Sequence, residues 1–165
     1  MAFADLVGFT SLGEQIELEE LGDVAGHLVD VVTARIEPPV RLVKGIGDAV
    51  MLVSTDVAPL VSVCLDLVDI AEGDDSLPTL RCGVAFGPAL ARLGDWYGAT
   101  VNTAARLTTR ARPASVLVTE AVEGALQADQ GFALHRAGLK ELKGISAPVA
   151  TWRVRRADGD GDGDG

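Results

Sequence analysis

Positive charge is in short supply in this chain. Its 14 Lys and Arg face 24 Asp and Glu, a formal net charge of −10. That balance argues against a general nucleic-acid binder, which needs a basic face for the phosphates. It suits a protein that holds divalent cations. Cysteine is rarer still. Cys64 and Cys82 sit in apolar segments without CxxC spacing, and read as buried free thiols in a reducing compartment. His27 and His135, the only histidines, fall in a helical and a late strand segment. They are expected to be structural, without partners, so a Ser-His-Asp or Cys-His arrangement is not available. No apolar run approaches the roughly 20 residues that span a bilayer. The opening MAFADLVGFT has no basic stretch and carries an acid at position 5, so no signal peptide is expected and a cytoplasmic location is.

What is present is a core. With 165 residues and 48% hydrophobic content the chain is long enough for one domain and not disordered overall. Met1–Leu6 reads as a short strand, and GFTSLGEQ as a turn into a helix capped by Thr10 or Ser11. Leu18, Leu21, Ala25, Leu28, Val32 and Ile36 recur at three and four, one helical face stopped by Pro38 and Pro39. VRLVKGIGDAVMLV reads as two strands joined at Gly45–Asp48. A second amphipathic helix is expected from Pro59 to Ala71, then a strand in TLRCGVAF with a hairpin partner in PALARLG. ATVNTAARLTTRAR reads as a helix ended by Pro113, followed by the strand SVLVT, a short helix over Glu120–Ala128, and strands at Phe132–His135 and Val149–Val154. Hairpins this frequent exclude a doubly wound parallel sheet and predict an α+β fold with a largely antiparallel sheet. The Asp/Gly tail lacks the closing glutamate of a calcium loop and is expected to be disordered.

Two acids stand out. Asp5 closes the first strand and Asp48 lies in the turn between the next two. Each alone reads as a turn acid or cap. Brought to one sheet edge, the pair has the chemistry to hold hard cations, which activate a hydroxyl and steady a leaving phosphate. Gly8, Phe9 and Thr10 follow Asp5 in DLVGFTS, where a tight turn and a helix start offer N–H groups to an anion. Asn102 and Arg106 are four apart on one predicted helix and share a face. An arginine there suits a forked contact with phosphoryl oxygens, and an asparagine suits a sugar.

FADLVGFTSL, VKGIGDAVM, GDWYGATVNTAAR and LKGISAPVATWRV together resemble the catalytic domain of class III nucleotidyl cyclases, most of all the adenylyl cyclases of actinobacterial type. The resemblance runs from Phe3 to Val154. It implies a ferredoxin-like βαββαβ core with extra helices and strands, a cyclase catalytic domain over residues 1–156, and a tail over 157–165. It implies a homodimer with its sites at the interface, binding ATP and two divalent cations, Mg2+ or Mn2+. Asp5, the carbonyl of Leu6 and Asp48 match the metal ligands, and Lys44 and Asp95 match the pair that reads adenine. Asn102 and Arg106 match the transition-state pair, and Lys143 a lysine on the nucleotide phosphates. The implied reaction turns ATP into 3′,5′-cyclic AMP and pyrophosphate. A guanylyl cyclase, a catalytically weak nucleotide-binding or dimerisation module of this fold, and an unrelated ferredoxin-like small-molecule sensor are the rival readings. A regulatory domain or protein outside this chain is among the expected partners; nucleic acid and membrane are not.

Overall fold

The computed structural model of the chain describes residues 1–157. The expected tail therefore lies outside the described residues from Asp158 onward. Nine strands and five helices follow one another as β1 (Ala2–Leu6), α1 (Phe9–Leu12), α2 (Leu18–Arg35), β2 (Arg41–Ile46), β3 (Ala49–Val53), α3 (Val57–Gly73), β4 (Leu80–Val84), β5 (Leu90–Arg92), β6 (Asp95–Tyr97), α4 (Ala99–Thr108), β7 (Ser115–Thr119), α5 (Glu120–Leu126), β8 (Phe132–Lys140) and β9 (Val149–Arg156). Seven strands form one sheet in the order β2-β3-β1-β4-β7-β9-β8. Every neighbour pair in it is antiparallel except β4 with β7. The run β1-α2-β2-β3-α3-β4 is the βαββαβ core that the cyclase resemblance implies, and the mostly antiparallel sheet is what the α+β reading expects.

The sheet separates two apolar layers. Ala2, Ala4 and Leu6 of β1 point into the main core, with Leu28 and Val32 of α2 and nine buried residues of α3. The alternate residues Phe3 and Asp5 belong to the other face, where Phe3 packs with Met51, Ala104, Val101 and Trp96. Helix α4 lies across that second face because Gly83 of β4 lets it approach. A Cβ at Gly83 would stand 2.3 Å from the Thr108 nitrogen and 2.7 Å from the Ala104 carbonyl.

Several local expectations change. Helix α1 is a single turn whose N-cap is Gly8, at φ 77°, and neither Thr10 nor Ser11 caps it through a side chain. Asp56 caps α3 by accepting from the Ala58 N–H, so that helix starts two residues before Pro59. Leu18 opens α2 but is 82% exposed, because the helix meets the core only further along. PALARLG does not pair with β4: Leu90–Arg92 folds onto Asp95–Tyr97 as a separate ribbon, leaving both edges of β4 to β1 and β7. Helix α4 ends at Thr108, before the Pro113 stop. His27 has a partner after all, Asp74 at 2.8 Å; the Ser76 hydroxyl first, then this His27 contact and the Ser76 N–H, lower the Asp74 carboxyl to about 2. Cys64 and Cys82 are buried and free, as expected.

Gly83→Ala is expected to destabilise the fold by about 1–3 kcal/mol, because backbone atoms cannot yield as a flexible side chain does. Gly22→Ala, on the open face of α2 with nothing within 4 Å, is expected to stabilise it by about 0.5–1 kcal/mol. Urea unfolding of both variants checks the pair; equal effects would contradict the close approach of α4.

Candidate active site

Asp5 and Asp48 are brought together by backbone pairing. Asp5 lies opposite Ala49 in the β1–β3 ladder, and the Leu6 N–H donates to the Asp48 carbonyl at 3.0 Å. Gly47, at φ +61°, takes the first central place of the two-residue turn between Ile46 and Ala49, where glycine is favoured. The turn therefore delivers Asp48 to the end of β1. Asp5 is half-buried, and burial is the main reason its carboxyl is pushed above the usual range; the nearby Asp48 charge adds to the rise. Arg81, opposite Asp5 on β4, opposes that shift. Its Nε donates to Asp5 Oδ2 at 2.8 Å and its Nη2 at 2.6 Å. Arg81 is a site residue that the sequence reading missed. The signal was available only through register, since the two residues are 76 positions apart.

Lys44 and Asp48 belong to one hairpin but to different groupings. Lys44 Nζ lies 2.5 Å from Asp95 Oδ2, and the Trp96 N–H donates to Asp95 Oδ1 at 2.8 Å. Those two hydrogen bonds hold the Asp95 carboxyl below the usual range, the Lys44 contact first. A bulge between Leu42 and Lys44 inserts Val43, which packs into the α4-side apolar layer while Lys44 stays opposite Met51 of the same layer. Lys44, Asp5 and the β5–β6 ribbon thus share one face of the sheet. Asp95 also borders a hollow of about 520 Å³ with Val43, Arg92 and Trp96, but neither Asp5, Asp48, Asn102 nor Arg106 lines it.

Helix α4 buries Thr100, Ala104, Leu107 and Thr108 and leaves Asn102 and Arg106 exposed on its outer side. Its N-cap Gly98 has φ 136°, open to glycine alone in practice. Gly8, Phe9 and Thr10 sit where expected, in the turn after β1; Gly8 and Phe9 carbonyls accept from Leu12 and Gly13. A one-turn helix leaves its leading N–H groups without intrahelical partners. Lys143 lies in the loop between β8 and β9, beside Arg110 and Glu141, apart from both groupings. Among the described residues no group of three or more His, Cys, Asp or Glu side chains converges on one point, so any cation here has at most a carboxylate pair.

Residues 1–156 match the family described as Adenylate and Guanylate cyclase catalytic domain. The chain is 50% identical over 160 residues to the pH-sensitive adenylate cyclase of Mycobacterium tuberculosis, across 94% of this chain and 40% of that protein. An adenylate cyclase of Streptomyces griseus is 40% identical over 117 residues, covering 70% of this chain and 29% of that one. Among solved structures, the guanylate cyclase domain of RhGC from Catenaria anguillulae in complex with GTP superposes with a TM-score of 0.79 at 20% identity, covering 95% of both chains. The adenylyl cyclase CyaB of P. aeruginosa gives 0.77 at 22% identity, over 96% of this chain and 95% of that one. The fold is that of a class III cyclase domain. The chain belongs to the adenylate and guanylate cyclase catalytic domain family. It spans less than half the length of these curated relatives. No helix among the described residues is long and apolar enough to cross a membrane.

Because Asp95 is depressed by a contact, the shift should follow the contact. Lys44→Met is expected to raise the Asp95 carboxyl toward the ordinary aspartate range, with the Trp96 N–H bond still holding it partly down, read by carboxyl-carbon NMR titration. The ion pair is intact above the ordinary aspartate value and is lost as pH falls through the lowered folded value. An Asp95 value unmoved by Lys44→Met would contradict the contact.

Proposed function

We infer that this domain is an adenylyl cyclase, converting ATP to 3′,5′-cyclic AMP and pyrophosphate at the interface of a homodimer. The observation that carries the reading is the pairing of the Asp5–Asp48 strand end with a Lys44–Asp95 pair on the same face of the sheet. The domain is assigned to residues 1–156, within the cell's cytoplasm.

The donor set fits a hard cation. Two carboxylates at one strand end match the way Mg2+ is held by one or two carboxylates together with substrate phosphates. Asp5, the Leu6 carbonyl and Asp48 would hold two divalent cations, Mg2+ or Mn2+, whose charge favours the ionised form of the ribose 3′-hydroxyl and neutralises the triphosphate. The N–H groups of Gly8, Phe9 and Thr10 receive phosphate oxygens, and Lys143 adds a point charge to the same chain of phosphates. Arg106 counters charge on the α-phosphoryl group as the hydroxyl attacks and pyrophosphate departs, and Asn102 fixes the ribose so that attack is in line.

Base choice falls to Lys44 and Asp95. Adenine offers an amino donor to Asp95 and a ring-nitrogen acceptor to Lys44. Guanine inverts that pattern at its six position and leaves both groups mismatched, which a hydrogen-bonding site penalises heavily. ATP is therefore expected to be turned over faster than GTP.

A second copy completes the site. Each chain contributes its metal-binding acids to one site and Lys44, Asp95, Asn102, Arg106 and Lys143 to the other, so a symmetric pair holds two whole sites. The exposed Leu90, Leu93 and Tyr97 of the β5–β6 ribbon support a partner on this side of the fold; Leu93 is 92% exposed.

Asp48→Ala is expected to lower cyclic AMP formation about a hundredfold or more without unfolding the domain. Mixed with Lys44→Ala chains, it should regain activity, because one of the two sites in a mixed dimer has both halves. Product assayed by chromatography across mixing ratios checks this; demonstrable mixed dimers without recovery would contradict the shared site.

A further inference from the structure

In a chain with ten surplus negative charges, five of the 14 cationic side chains border one small cavity. Arg110 and Arg112 come from the segment after α4, Arg136 and Lys140 from β8, and Arg153 from β9, around a space of about 260 Å³. Register sets the direction of two of them. Arg153 pairs with Leu117 and Lys140 with Val149, and both apolar partners pack in the small cluster of Leu107, Ala111 and Leu142 beneath α4. Arg153 and Lys140 therefore rise from the α4 side of the sheet, toward the loop that carries Arg110 and Arg112. That loop is tied down at both ends: Ser115 Oγ donates to the Arg112 carbonyl at 2.7 Å, and Arg110 Nη2 donates to the Glu141 carbonyl at 3.1 Å.

No carboxylate among the described residues neutralises this group. The ion pairs present use His27, Lys44, Arg81 and Arg156 as cations, and none of the five cavity cations takes part. Glu141, the nearby acid, lines the neighbouring hollow with Lys143. Fixed like charges around a shared cavity repel one another and raise the local concentration of anions. Four of the five are guanidinium groups, whose planar forks match phosphoryl oxygens two at a time. The space is concave and bordered by four chain segments, the one after α4 and strands β7, β8 and β9, which suits a compact anion better than a flat acidic protein surface.

We propose that this cavity binds a phosphoanhydride anion, either free pyrophosphate or the phosphate chain of a nucleotide, at a site separate from the acid pair. None of Asp5, Asp48, Lys44, Asp95, Asn102, Arg106 or Lys143 lines it. The assignment depends on no catalytic role. Pyrophosphate is also the leaving product of the proposed reaction, so the site has a ligand where the enzyme works.

The experiment is calorimetric titration of pyrophosphate, ATP and orthophosphate into the whole chain in EDTA at fixed ionic strength. Pyrophosphate is expected to bind at least tenfold more tightly than orthophosphate, and the Arg112→Gln/Arg153→Gln variant to lose at least tenfold in affinity. Arg35→Gln, an exposed cation at the end of α2 outside both the cavity and the candidate active site, should stay within twofold of the parent. Competition by ATP identifies a nucleotide's phosphate chain as a second source, and its absence assigns the site to free pyrophosphate; either result requires the cavity. Should the double variant fail to fold, Lys140→Gln is expected to weaken binding at least threefold. Unchanged affinity in the folded cavity variants, or an equal loss in Arg35→Gln, overturns the proposal, as does the absence of pyrophosphate binding to the parent chain.

Discussion

One backbone hydrogen bond organises the candidate active site: the Leu6 N–H to the Asp48 carbonyl, 3.0 Å long. It ties the last residue of β1 to the turn of the neighbouring β2–β3 hairpin. Two acids 43 positions apart in the chain are thereby held at the same sheet edge. Repulsion between them and the burial of Asp5 oppose this arrangement, and the Arg81 guanidinium offsets part of that opposition from the next strand over. The chain thus spends stability to keep two carboxylates adjacent. Such an arrangement makes chemical sense where a cation is to be received.

The rest of the fold serves as a frame for that edge. The antiparallel β2-β3-β1-β4 order sets Asp48, Asp5 and Arg81 side by side, in register, and buries the opposite face of β1 under α2 and α3. Gly83 admits α4 to the other face, fixing the helix from which Asn102 and Arg106 project. The bulge at Val43 keeps Lys44 on that same face, within reach of Asp95. A single chain therefore displays the acids, the Lys44–Asp95 pair and the Asn/Arg helix on one side, yet the hollow beside Asp95 encloses none of the acids. An open face of this kind is what a two-chain site requires of each chain.

Much of this was legible from residue order alone, for identifiable reasons. Helices α2 and α3 carry long periodic apolar faces, and strand β7 is a compact β-branched run, so their existence needed no tertiary information. The acid pair was legible because each aspartate interrupts an apolar stretch. What escaped was set by partners distant in the chain. PALARLG has the composition of a strand that pairs with its predecessor, but β4 already has β1 and β7 on its two edges. His27 looked solitary because Asp74 is 47 positions away, and Arg81 looked like an ordinary strand cation until register set it against Asp5. The basic cavity is another such case, since its cations come from separate segments and look unremarkable in an acidic chain.

The central claim is that Asp5 and Asp48 act as one cation site. Electron paramagnetic resonance of Mn2+ titrated into the protein with a non-hydrolysable ATP analogue tests it without relying on turnover. The expected result is tight Mn2+ binding by the parent chain, weakened by at least tenfold in both Asp5→Asn and Asp48→Asn while each remains folded. Either variant binding Mn2+ as tightly as the parent would contradict the account.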